Sequence, residues 1–94
     1  MKTELNPVIH SQLRLAVMTI LAQVEEADFN YLKEKTEATA GNLSVQLDKL
    51  SQAGYIAITK TFEGKRPRTT ASITDDGRAA LEAYIETLKD LLGL

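Results

Sequence analysis

Ninety-four residues, a net charge of −2, one histidine and no cysteine set the first limits. A chain of this length makes one domain with a modest core, and the lack of cysteine excludes disulfides, thiolate metal sites and thiol redox switching. His10 alone makes no histidine metal cluster, no apolar run approaches the ~20 residues of a membrane span, and the N-terminus has no signal-peptide apolar region, so a cytoplasmic protein without metal or cofactor is expected.

Met1 to Asn6 is polar and reads as loose, and Asn6-Pro7 is a helix-entry signal, since proline fits a first turn where its missing N–H is not needed. Leu13, Ala16, Val17, Ile20, Leu21 and Val24 then recur at spacings of three and four, one face of a helix. Leu15 and Met18 lie off that face, and a break near Ser11 is expected to split a short first helix from a longer one. Arg14, inside this apolar stretch, reads as a paired or snorkelling arginine that supports the fold. Glu25-Glu26-Ala27-Asp28 reads as a polar connection, with Asp28 or Asn30 capping a short helix around residues 31–35; Phe29, Leu32 and Ala38 point inward. The turn 36–39 lacks the glycine often found between two such helices.

A helix from Thr39 to Ala53 follows, stopped by Gly54. Leu43, Leu47 and Leu50 mark its core face; Gly41, Val45, Asp48 and Gln52 lie opposite, with Asn42 and Lys49 beside them and Ser44 and Gln46 on the flanks. Residues 55–61 read as a strand, 62–68 as a basic loop shaped by Gly64 and Pro67, and 69–73 as the return strand. Thr74 caps a last helix to Leu92, with Asp75 and Asp76 at the positive end of its dipole. From Lys49 to Thr70 the cations Lys49, Lys60, Lys65, Arg66 and Arg68 face Glu63 alone, while the stretch from Ile73 onward is acidic. A basic edge with an acidic back suits nucleic acid better than the net charge suggests.

Gly41-Asn42-Leu43-Ser44, Leu47-Asp48-Lys49-Leu50, Gly54-Tyr55-Ile56, residues 64–69 and Ile73-Thr74-Asp75-Asp76-Gly77, in this order and spacing, resemble the MarR-like winged helix-turn-helix regulators, above all the compact single-domain ones. The resemblance runs from about Val8 to Leu92 and implies a mainly α, α+β fold with a small β-hairpin wing. It implies one domain over 1–94, with helix-turn-helix and wing in about 28–74 and dimerisation helices in 7–24 and 75–92. The related ArsR-like metal sensors share the fold, but their Cys and His ligand sets have no counterpart here.

A recognition helix needs short polar side chains near its N-terminus and cations for phosphates, and Thr39, Asn42, Ser44, Val45, Gln46 and Lys49 supply them. Asn42 and Gln46 suit bidentate reading of adenine, Val45 a thymine methyl, and Ser44 and Lys49 the backbone. Lys65, Arg66 and Arg68 suit phosphates or a narrow minor groove. Leu15, Met18, Leu81, Tyr84, Ile85, Leu88, Leu91 and Leu92 form the candidate dimerisation surface, because the last helix carries a broader apolar stripe than so small a core covers. No Cys and no His/Asp/Ser grouping suggests catalysis. The expectation is a non-enzymatic homodimer that binds double-stranded DNA at a palindromic operator, most simply as a repressor. A protein-binding winged-helix module is the alternative, and a crevice near Leu15, Met18 and Tyr84 is a candidate site for a small-molecule effector.

Overall fold

The computed structural model describes residues 3–94. In chain order it forms α1 (Gln12–Leu21), β1 (Ala27–Asp28), α2 (Phe29–Thr36), α3 (Ala40–Gln52), β2 (Ile56–Glu63), β3 (Arg66–Ile73) and α4 (Asp75–Leu92). This is the expected mainly α, α+β architecture. The strands form one antiparallel sheet in the order β1-β3-β2.

Each helix starts on a side-chain oxygen that satisfies a backbone N–H of its first turn. Ser11, Asp28, Thr39 and Thr74 cap α1 to α4. The break near Ser11 is therefore a helix start, and the short helix expected before it is a turn over residues 7–9. That turn is tied down. The Asn6 side chain accepts from Val8 N (2.9 Å) and Ile9 N (3.4 Å) and donates to the Tyr55 hydroxyl at 2.9 Å. Ile9 is fully buried and Leu5 packs on the core, so the loose reading of 1–6 fails from Leu5 onward; Met1 and Lys2 lie outside the described residues. At its other end α1 closes at Leu21, where Gln23 and Val24 bond back to Ile20 and Leu21 and tighten the chain out of the helix. Val24, read on the helical face, is exposed in that turn.

Between α2 and α3 the place of the missing glycine is taken by Glu37, the one non-glycine residue with positive φ among those described (φ 56°). The polar connection at 25–28 is also more ordered than expected. Ala27 and Asp28 pair with Ala71 and Thr70 of β3, adding a third strand that two residues without alternation could not announce.

The core lies where α1, α2 and α3 meet the base of the sheet. Ile9, Val17, Met18, Leu21, Leu32, Leu43 and Leu50 are fully buried there, and Leu47, Ile56, Ala71, Leu81 and Tyr84 nearly so. α3 ends on Gly54 at φ +79°, where Tyr55 N returns to Leu50 O at 3.0 Å. Thr74 then locks the start of α4 to this corner. Its N–H donates to Tyr55 O (3.0 Å), and its hydroxyl donates to Gly54 O (2.6 Å) and accepts from Gly77 N (3.0 Å). Gly77 packs so closely on Tyr55 that a Cβ would sit 2.0 Å from its carbonyl oxygen.

The dimerisation surface read from the sequence needs correction at three places. Met18, Leu81 and Tyr84 are buried inside the chain's own core, because the first helix and the start of the last pack on the same domain. Met18 therefore lines no open crevice. Leu15 and Leu88 are half-buried, while Ile85 (38%), Leu91 (42%) and Leu92 (63%) are exposed. Helix α4 is about 27 Å long at 1.5 Å per residue, and the molecule measures 52 × 25 × 21 Å, elongated as a projecting helix requires.

Candidate nucleic-acid interface

Helix α3 presents one continuous polar face. Asn42, Ser44, Val45 and Lys49 are all exposed, with Val45 at 50%, and Leu43, Leu47 and Leu50 hold the opposite face in the core. The 3.6-residue period thus places five of the six candidate side chains where a groove could meet them. Gln46 is half-buried instead. Its Oε1 accepts from Arg14 Nη1 of α1, and its Nε2 donates to Asn42 Oδ1 at 2.9 Å. Thr39 is exposed, but its hydroxyl caps the helix on Asn42 N at 3.2 Å. The expectation that Asn42 and Gln46 each read adenine through a free amide is therefore corrected for Gln46, whose amide is engaged at both ends.

The wing is longer and stiffer than expected. β2 and β3 pair from Ile56↔Ile73 out to Glu63↔Arg66, and the turn is reduced to Gly64, at φ +66°, and Lys65. The segment read as a loop is mostly strand, because Pro67 is compatible with a strand that has a neighbour on one side only, and β1 reaches no further than Thr70. Strand alternation then sorts the cations. Arg66 and Arg68 share one ribbon face, opposite Glu63 and Thr61. Lys60, Phe62, Pro67 and Thr69 occupy the other face, which continues inward to Ile58 and Ile56. Lys65 stands at the tip. All four cations are exposed, and the ion pair found among the described residues, Lys89 with Glu86 at 3.8 Å, lies on α4. The positive field of the wing is therefore open to solvent.

Two features of this surface escaped sequence reasoning. Lys60 borders a groove between α3 and the hairpin, together with Ser44, Asp48 and Thr69. Phe62, 76% exposed, sits across from Pro67 and makes an apolar pair amid the wing cations. Phe62 shares the strand parity of Ile58 and Lys60, a signal hidden by ending the strand at residue 61, while Lys60 lay inside that strand and was counted only among the cations of the basic edge.

A capped helix-turn-helix followed at once by a paired, cationic hairpin defines a MarR-like winged-helix transcriptional regulator. The chain belongs to the winged helix DNA-binding domain family, whose model matches residues 13–92. It is similar to an uncharacterized protein of Methanocaldococcus jannaschii, 36% identical over 84 residues that cover 89% of this chain and 91% of that one. Among solved structures it resembles the transcriptional regulator homologue of Pyrococcus horikoshii, at 27% identity and a TM-score of 0.85 over 92% of this chain and 85% of that one. The transcriptional regulator BldR of Sulfolobus solfataricus matches at 23% identity and a TM-score of 0.74 over 87% of this chain and 58% of that one, which bears on the fold. Family and fold make the chain a DNA-binding regulator. Among the described residues, no helix is long and apolar enough to cross a membrane.

Proposed function

We propose that the chain works as a homodimer on a palindromic operator, with α3 in the major groove and the wing on the flanking backbone and minor groove, and that it represses by occupying that site. The exposed polar face of α3 standing beside an unneutralised cationic hairpin carries this reading. Asn42, Val45 and Ser44 meet the groove, Lys49 and Thr39 its edge, and Gln46 acts from behind through Asn42. Arg66 and Arg68 hold phosphates, Lys65 reaches furthest, and the Phe62–Pro67 pair packs against sugars where the wing enters the minor groove.

Pairing rests on α4. Ile85, Leu91 and Leu92 are apolar, exposed and close together along one helix, with Leu88 half-buried beside them. The three are already partly covered, so burying what remains exposed is worth on the order of 3 kcal/mol per protomer before association costs. Two α3 helices set ~34–36 Å apart would then meet successive major grooves on one side of the duplex. An apolar effector has its place, in this reading, in the groove between the N-terminal segment and α4, lined by Leu5, Val8, Ala80, Ala83 and Thr87.

Selection of bound DNA from a random pool tests the reading. A palindromic consensus is expected. Affinity weaker than ~10⁻⁴ M at low salt would instead leave the protein-binding module, because nonspecific DNA affinity alone should exceed that level.

A further inference from the structure

Arg14 is on the first helix, yet it grips a residue of α3. Its Nε donates to Val8 O, its Nη2 to Pro7 O at 3.4 Å, and its Nη1 to Gln46 Oε1. A guanidinium donates and never accepts. The atom of Gln46 that faces it must be the carbonyl oxygen, and the amide nitrogen is turned to the other side. There Nε2 meets Asn42 at 2.9 Å, and since Nε2 can only donate, the Asn42 atom it meets must be Oδ1. The chain of bonds therefore has a direction imposed from its inner end. Asn42 is left exposed with its oxygen engaged toward Gln46 and both N–H groups of Nδ2 free.

We infer that Arg14 is a positioning residue that, through Gln46, fixes Asn42 as a hydrogen-bond donor toward DNA and so selects a base edge rich in acceptors. In the major groove guanine offers N7 and O6 as adjacent acceptors and thymine offers O4, while cytosine N4 is a donor and adenine pairs one donor with one acceptor. Asn42 so oriented favours guanine or thymine over adenine, the reverse of the preference a free asparagine amide would show. The inference rests on α3 being the base-reading helix.

Gln46→Glu tests it without loosening the fold at Arg14. A carboxylate keeps the bond to Arg14 but accepts only, so Asn42 must turn Nδ2 inward and present Oδ1. Nitrogen-15 spectra of the DNA-free protein should show the Asn42 Nδ2 protons exchanging freely in the parent chain and protected in Gln46→Glu. Selection from a random pool should enrich guanine or thymine at one position with the parent chain, shift that position to adenine or cytosine by at least about fivefold with Gln46→Glu, and blur it with Gln46→Met, which frees Asn42. Asn42 protons protected in the parent chain would overturn the relay. An unchanged base preference with an inverted amide would overturn its role in specificity. A pool that yields no enriched sequence from any of the three proteins would overturn the DNA reading and with it the base preference, while the spectra still decide the relay.

Discussion

Single residues fix the corner from which both the helix-turn-helix and the wing emerge. Gly77 lies against Tyr55 because Thr74 bonds the backbone of residues 54 and 55, and a Cβ at 77 would stand 2.0 Å from a backbone oxygen that cannot swing away. Gly77→Ala should therefore destabilise the fold by about 1–3 kcal/mol, the usual range for overpacking. At roughly 4–8 °C per kcal/mol for a domain of this size, the loss will be plain in a thermal melt. Gly41 makes the contrast. A Cβ there meets nothing within 4 Å and its φ is ordinary, so Gly41→Ala should stabilise by about 0.4–1 kcal/mol in the same melt by restricting the unfolded chain.

At the scale of the element, the wing matters because it is paired almost to its tip. A ribbon with a two-residue turn holds Arg66 and Arg68 in place before DNA arrives, which lowers the ordering cost of each contact. Replacing both with alanine should weaken binding at all sequences alike. It should also flatten the slope of log K against log salt by ~1.8, close to two phosphate contacts, in anisotropy titrations across a salt series. Both side chains are exposed, so the melting temperature should stay within the range of neutral surface changes.

At the scale of the whole molecule, the outer half of α4 stands uncovered. Leu91 and Leu92 are exposed on an 18-residue helix whose inner half is sealed by Leu81 and Tyr84. Leu91→Glu combined with Leu92→Glu should leave the core intact and place charges in any α4 interface. Sedimentation should show the parent chain as a dimer at micromolar concentration and the double variant as a monomer. Operator affinity should fall with dimerisation. A parent chain that sediments as a monomer would remove the pairing.

The sequence alone determined the parts of this protein that depend on short-range chemistry. The cap at Thr74, the stop at Gly54, the leucine face of α3 and the order of helix, hairpin and helix are each decided within a few residues, and a period of 3.6 or 2 reports the faces. Tertiary structure decided whatever depends on which apolar or polar group finds a partner far along the chain. Met18, Leu81 and Tyr84 went to the core because the two terminal segments pack on their own domain, and periodicity says that a side is apolar without saying what meets it. Ala27 and Asp28 became a strand through residues more than forty positions away. Gln46 left the reading face through its bond to Arg14, 32 positions earlier, which no spacing within α3 records.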